Sequence, residues 1–340
     1  MEPLPPAPAV RRVIQRHLLE WYDAHRRPLP WRQTRDPYAI TVSEFMCQQT
    51  QVATVLPYYT RWMAAFPTWH SLAAAEESAV LKAWEGLGYY RRARFLHRLA
   101  RTVAHGLQGR LPRSPEALRA LPGIGPYMAG AIASIAFEQP VPLVDGNVER
   151  VLARLHACTL DARSAPGRRQ FWAWAEALVP AERPGDHNQA LMELGARACT
   201  PRKPACLLCP LASGCAGRDA PERYPVIARA PARVQERAYA AVLRRRQVWL
   251  LHPETPGLWH GLHRLPEFDP SWMAQTASCG TATLTITCHR IRARRLAARP
   301  LPGARPPSTG AWHPLDAALS LTLPSPHRRM LQAVLGQAGN

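Results

Sequence analysis

Four cysteines constrain this chain more than any other feature. Cys199, Cys206, Cys209 and Cys215 run as C-x6-C-x2-C-x5-C in CTPRKPACLLCPLASGC. Sulfurs this close along a chain end up in disulfides or around a metal centre. The opening MEPLPPAPAV has no charged stretch followed by an apolar run, so a reducing, cytosolic setting is expected. In that setting such clusters bind metal. Zinc accepts four thiolates, but usually from two close pairs a dozen or more residues apart. One compact run fits a cubane 4Fe–4S cluster better, with zinc and disulfides as the other readings.

Length and charge narrow the partners. At 340 residues the chain has room for two domains or three, and 47% hydrophobic residues can fill real cores. No apolar run is long enough to span a bilayer, so no membrane partner is expected. A net charge of +19 points towards a polyanion. Only Lys82 and Lys203 among the 43 basic residues are lysine, a bias that would charge the surface with arginine in any case. Charge alone leaves nucleic-acid binding and a merely Arg-rich surface both open.

The pattern before residue 217 is helical. Val13, Ile14, His17, Leu18 and Trp21 fall at helix spacing, and the apolar residues from Val42 to Phe66 fill one or two more helices. Further candidates are 78–86, 91–107, 115–120, 126–137, 146–157, 168–179 and 187–197, joined by short connectors rich in Pro and Gly. That predicts an all-α region over 1–216. Residues 217–237 have three prolines and little periodicity, and read as a linker. Over 238–340 the texture changes. AYAAVLRRRQVWLLH reads as two strands about a basic turn, TATLTITCHRI as another strand, and PHRRMLQAVLGQ as a closing helix, which makes a small α+β domain.

Three segments carry chemistry. In Leu121-Pro-Gly-Ile-Gly-Pro-Tyr127 a helix ends, Gly123 and Gly125 allow a tight turn, and a new helix begins near Pro126. Such a turn offers backbone N–H groups to a phosphate, and a side chain at either glycine would hold a DNA backbone away; it also serves as an ordinary helix–helix turn. In Val144-Asp145-Gly-Asn147-Val-Glu-Arg150, Asp145 stands where an N-cap belongs, so capping and catalysis compete for it. In Ser43-Glu44-Phe-Met-Cys-Gln48-Gln49-Thr50, Glu44 has apolar neighbours at what reads as a helix start. Desolvation there would raise its pKa and keep a proton on it, whereas a first-turn Glu would simply serve the helix dipole.

Together SEFMCQQTQVATV, GLGYYRRAR, LPGIGPYMAGAI, VDGNVERVLAR, NQALMELGA and the cysteine run resemble the adenine DNA glycosylase (MutY) family, in order and approximate spacing across residues 20–216. The resemblance implies a mainly α helix–hairpin–helix glycosylase domain with a 4Fe–4S cluster on the four cysteines. Gly257-Leu-Trp-His-Gly-Leu-His-Arg-Leu-Pro266 resembles that family's Nudix-like mismatch-reading domain, without the box a nucleotide-hydrolysing Nudix enzyme needs. The implied substrate is double-stranded DNA with adenine opposite 8-oxoguanine or guanine, met by a monomer in the bacterial cytoplasm beside the nucleoid. Glu44 is implied as the acid that protonates the adenine. Asp145 is implied to steady the sugar cation, with Tyr127 and Asn147 holding the pair in place. Arg27, Leu29, Trp31, Arg32 and Gln189 match positions around the extruded base; Gln48, Gln49, Thr50, Leu87 and Tyr89 match positions at the opposing base and the wedge.

The related endonuclease III family carries a catalytic lysine where this chain has Tyr127, so base removal without a Schiff base is implied. Where the family reads 8-oxoguanine with Phe-Ser-His, this chain has Thr287-Cys288-His289, and a thiol donates more weakly than a hydroxyl. His289 stands as a reader or as an ordinary strand histidine. A thymine glycosylase of the same fold and a non-enzymatic cluster-bearing DNA-binding module are the alternative functions.

Overall fold

The computed structural model of the chain describes residues 7–228, 233–286 and 289–338, without the side chains of 233, 285, 286, 289, 337 and 338. The chain divides into two compact units, Met1–Ala75 with Arg91–Arg229, and Glu76–Tyr90 with Ala230–Asn340.

The first unit is helical, and its helices begin where local chemistry lets them. Asp36 caps Pro37–Cys47 by accepting from the N–H groups of Tyr38 and Ala39. Thr68 and Ser71 form a capping box on Trp69–Ala74, while Ser114 and Ser164 cap Pro115–Arg119 and Ala165–Leu178. Proline occupies an early position in most of these helices, where its missing N–H costs nothing. One core joins Pro8–His25, Pro126–Phe137, Gly146–Leu155, Ala165–Leu178 and Pro184–Arg197 through Leu18, Tyr22, Leu152, Phe171, Trp174 and Leu194. The expected run 91–107 is Arg91–Arg101 followed by a wider π turn, Thr102–Gly106. Val42–Phe66 resolves into two helices, Pro37–Cys47 and Val52–Ala65.

The segment after Ala198 stays on this unit. Ala216 and Gly217 donate their N–H groups to Leu155 and Arg154, and Ala162 donates to the carbonyl of Val226 at 2.9 Å.

The second unit is a five-stranded mixed sheet with helices. Strands β1 (Arg233–Arg244), β2 (Gln247–Leu251), β3 (Met273–Ile286), β4 (His289–Pro300) and β5 (Gly310–Pro314) take the order β3-β4-β1-β2-β5. Among the described strands, β1 and β4 pair in parallel and the other neighbours antiparallel. Strand alternation divides the sheet: Tyr239, Ala241, Ile291 and Ala293 pack with Met330, Leu331 and Val334 of Ser325–Ala338. Ala240, Val242, Leu296 and Ala298 face the other way, towards Trp249 and Trp272. TATLTITCHRI, expected as one strand, spans the end of β3 and the start of β4. The helix Glu77–Ala83 and the residues to Tyr90 belong to this unit, where Glu85 pairs with Arg328.

Candidate active site

The helix Pro37–Cys47 sets the position of Glu44, and the structure corrects the expectation that Glu44 opens a helix. It lies in the last turn. The first-turn dipole role is therefore excluded, because the negative end of the macrodipole opposes a carboxylate there. That end is tied down by Arg92, whose Nη1 donates to the carbonyls of Phe45 and Met46 at 2.9 Å and of Gln48 at 2.5 Å. Its Nη2 reaches Thr50 Oγ1 at 3.1 Å.

Glu44 is 8% exposed, and Tyr127 donates its hydroxyl to Glu44 Oε2 at 2.5 Å. Burial pushes the Glu44 carboxyl up to about 7; the Tyr127 hydrogen bond pulls down, the Asp145 charge pushes up, and Arg32 pulls down. Tyr127 sits in the first turn of Pro126–Phe137, directly after the hairpin. There Gly123 has φ +79°, and a Cβ on it would stand 2.7 Å from Phe95 Cβ and 3.1 Å from Phe45 Cζ. The side chains that exclude a Cβ at Gly123 are thus the protein's own. A Cβ on Gly125 would meet nothing within 4 Å, which leaves an open approach to the head of a helix without a side-chain cap.

Asp145 is the N-cap of its helix and also lines the cavity shared with Glu44. Its Oδ1 accepts from the N–H groups of Asn147 at 2.9 Å and Val148 at 2.8 Å, capping Gly146–Leu155. Its Oδ2 accepts from Asn147 Nδ2 at 2.8 Å. Burial raises its pKa, while these bonds and the nearby Arg150 oppose the rise.

A cavity of about 460 Å³ brings these groups together. Glu44, Tyr127, Asp145 and Asn147 line it, with Arg27, Leu29, Trp31, Arg32, Thr50 and Gln189. Nine further lining residues were outside the expected set, among them Glu193, Met192, Gln51 and Cys47, whose thiol burial pushes up to about 12. Glu193 is fully buried and accepts from Arg27 Nε at 2.7 Å and Nη2 at 2.5 Å, from the Arg27 backbone at 3.3 Å, and from Arg32 Nη2 at 2.9 Å. Burial pushes its carboxyl up, but the Arg27 and Arg32 hydrogen bonds prevail and hold it at about 2.

From Asp145 a chain of contacts runs to the cysteines. Asn147 Oδ1 accepts from Arg150 Nη2 at 2.9 Å, and Arg150 Nε donates to the Cys199 carbonyl at 2.7 Å. Gly195, a second acceptor for Arg150, leaves room for this packing: a Cβ there would lie 2.6 Å from Asn147 Cβ. Cys199, Cys206, Cys209 and Cys215 line one hollow beside Arg154. Arg154 donates to Cys199 Sγ at 3.4 Å and to the Thr200 and Pro221 carbonyls at 2.8 and 2.9 Å. Among the described residues no group of three or more His, Cys, Asp or Glu is set to hold a single metal ion. Four thiols around a shared hollow suit a multi-atom cluster, whereas one zinc ion would draw its sulfurs to about 2.3 Å from a single point.

The other expected residues lie elsewhere. Gln48 is the C-cap of Pro37–Cys47, and Gln49 is exposed with φ +55°. In the second unit Tyr89 is 42% exposed with φ +48°, whereas Leu87 is buried and in this conformation packs inward. His289 opens β4 and pairs with Ile286, but its side chain lies outside the described residues, as do Thr287 and Cys288.

Comparison with known proteins identifies the family. Residues 42–177 match the model of the HhH-GPD superfamily base excision DNA repair proteins, and residues 199–215 that of the iron–sulfur binding domain of endonuclease III. The cofactor is accordingly a 4Fe–4S cluster, with the four cysteines in the matched stretch. An adenine DNA glycosylase of Mycobacterium tuberculosis is 38% identical over 304 residues, covering 88% of this chain and 97% of the relative. The human adenine DNA glycosylase is 50% identical over 220 residues, covering 62% of this chain and 40% of the relative. Among solved structures, a thermostable thymine-DNA glycosylase has 31% identity and a TM-score of 0.57, covering 62% of this chain and 96% of that one. A non-covalent endonuclease III–DNA complex, at 23% identity and TM-score 0.54, shares the fold over 63% of this chain and 97% of that one. The chain belongs to the adenine DNA glycosylase family. It spans only 40–41% of the length of the human, rat and mouse relatives.

Proposed function

We propose that this chain is a monofunctional DNA N-glycosylase that removes adenine mispaired with 8-oxoguanine or guanine in double-stranded DNA. The observation that carries the reading is the meeting of Glu44 and Asp145 in one cavity, in unlike environments. Breaking a purine N-glycosidic bond needs a protonated leaving base and a stabilised oxocarbenium-like sugar, the two-carboxylate logic of glycoside hydrolysis. With its pKa pushed up to about 7, Glu44 keeps a proton near neutral pH and can donate it to the purine. Asp145, held by three short hydrogen bonds that favour its ionised form, faces the sugar cation. Asn147 and Tyr127 hold these two groups in place.

The target base must leave the duplex to enter the cavity, at a cost of roughly a few kcal/mol of unstacking. Leu29, Trp31, Arg27, Arg32 and Gln189 form the walls that receive it, and Thr50 lies at the rim. Tyr89 is the exposed candidate for the wedge. No lysine lines the cavity, which supports hydrolysis without a Schiff base. The open Gly125 turn supports phosphate contact, as do Arg91 and Arg98, whose guanidinium groups lie 5.0 and 4.6 Å from the Phe95 ring centroid. Cys199, Cys206, Cys209 and Cys215 would hold the 4Fe–4S cluster, which would fix the loop that carries exposed Arg202 and Lys203 as a second patch for phosphate. No helix of the described residues is long and apolar enough to cross a membrane, and we place the protein, as a monomer, with cytoplasmic DNA.

Single-turnover release of adenine from a duplex with adenine opposite 8-oxoguanine tests this reading. Glu44→Gln should bind that duplex and lose excision by orders of magnitude; retained excision would refute the assignment. The likeness to a thymine-DNA glycosylase keeps thymine removal from T·G pairs as a second reading. A panel of mispaired duplexes separates the two.

A further inference from the structure

We propose that Glu193 is a positioning residue of this site: it pins Arg27 and Arg32 to the cavity wall and screens their charge from Glu44. Its carboxylate has no exposed surface, and three side-chain donors and one backbone donor occupy it. A carboxylate this deep is costly to bury unless its partners require it. Both partners line the same cavity as Glu44. Arg32 has only 9% of its side chain exposed, so water screens its charge poorly. Its guanidinium also lies 5.5 Å from the Tyr22 ring centroid and donates to the Arg27 carbonyl at 3.4 Å. Two cations and one anion leave a single net positive charge; without Glu193 there would be two, with Arg32 held only by the Tyr22 ring and the Arg27 carbonyl.

The charged and titratable groups around Glu44 come from every neighbouring element. Cys47 shares its helix, and Arg27 and Arg32 follow the first helix. Arg92 lies behind the helix end, Tyr127 heads Pro126–Phe137, Asp145 heads Gly146–Leu155, and Glu193 lies on Pro184–Arg197. Of these, Arg32 is the cation that pulls the Glu44 pKa down. Glu193 is the anion bound to that cation, so its effect reaches Glu44 through Arg32.

This inference rests on Glu44 as the proton donor, and the pH profile tests it on the full-length, cluster-loaded protein. Adenine release is followed under single turnover from about pH 5.5 to about pH 8.5, on a duplex with adenine opposite 8-oxoguanine. An acid that must stay protonated gives a rate that falls as pH rises through its pKa. Glu193→Gln should move that fall downwards by about one pH unit, so that a loss of about tenfold above neutrality shrinks towards pH 6. Glu193→Asp, which keeps the charge, should leave the fall near its wild-type position. Arg32→Gln should move it upwards. An equal loss for Glu193→Gln at every pH, or a fall that stays put, would show packing alone and overturn the proposal. Should Glu193→Gln fail to fold, Arg32→Gln decides, and a downward or absent shift overturns it. Activity surviving in Glu44→Gln would instead defeat the proton-donor reading itself, separately from these outcomes.

Discussion

Removing the Tyr127 hydroxyl should move the pH dependence of excision upwards, opposite to the shift expected for Glu193→Gln. Tyr127 donates to Glu44 Oε2 at 2.5 Å, and that bond favours the charged carboxylate. A hydrogen bond to an ionised group contributes roughly 1.5–3 kcal/mol, against roughly 0.5–1.5 for a neutral pair. The difference, on the order of 1–1.5 kcal/mol, is about one pKa unit. Tyr127→Phe keeps the ring and the apolar surroundings, so the burial that pushes Glu44 to about 7 persists while the opposing bond is lost. The alkaline fall in single-turnover adenine release should therefore move from near 7 to about one unit higher, even where the plateau rate drops because Glu44 is less firmly held. Tyr127 cannot produce this effect by its own titration, since burial raises its phenol well above 10. A downward shift, or a profile superimposable on the wild type after scaling, would refute the account of what sets the Glu44 proton.

The same raised pKa has a stability consequence. A carboxyl at about 7 in the fold and 4.5 when unfolded favours the native state below 4.5, and that stabilisation is lost as pH rises towards 7. Glu44→Gln should therefore be more stable than the wild type by roughly 3 kcal/mol at alkaline pH, with the two converging near pH 4, as read by urea unfolding across pH. Equal stability at every pH would contradict the raised value. Cys206→Ser should abolish the brown absorbance near ~400 nm and weaken duplex binding, checked by absorbance and by titration with labelled duplex.

Most helices were legible because capping residues, prolines and glycines punctuate the first unit. The expected 115–120 is Pro115–Arg119, and 126–137 is observed with those bounds. Glu44 was misplaced along its helix because YAITVSEFM offers no polar break. The signal that marks the start was present in Asp36-Pro37, an N-cap followed by proline. Glu193 was invisible for a different reason. A Glu in LMELGAR reads as a solvated helix face, and the arginines that bury it lie 161 and 166 residues earlier. The stretch TATLTITCHRI, expected as one strand, holds parts of two antiparallel strands, and β3 carries register shifts around Ser278 and Thr281 that break simple alternation. Nor could local pattern say that Glu77–Ala83 belongs with residues from 230 onwards, since an amphipathic face does not name its partner.

The two carboxylates of the cavity show how one fold can give two acidic groups unlike surroundings in one site. Asp145 sits at the positive end of Gly146–Leu155, accepts two backbone N–H groups and one amide, and gains from Arg150. Each of those contacts is worth more to an anion than to an acid. Glu44 sits at the negative end of Pro37–Cys47 with a single hydroxyl donor, and the nearby Asp145 charge discourages its ionisation. Exchanging the surroundings, rather than the residue types, would exchange the roles, because aspartate and glutamate differ little in intrinsic acidity. Burial raises both carboxyls, but the donors at the helix head oppose the rise at Asp145, whereas Glu44, near a helix tail with one hydroxyl donor, is pushed up to about 7.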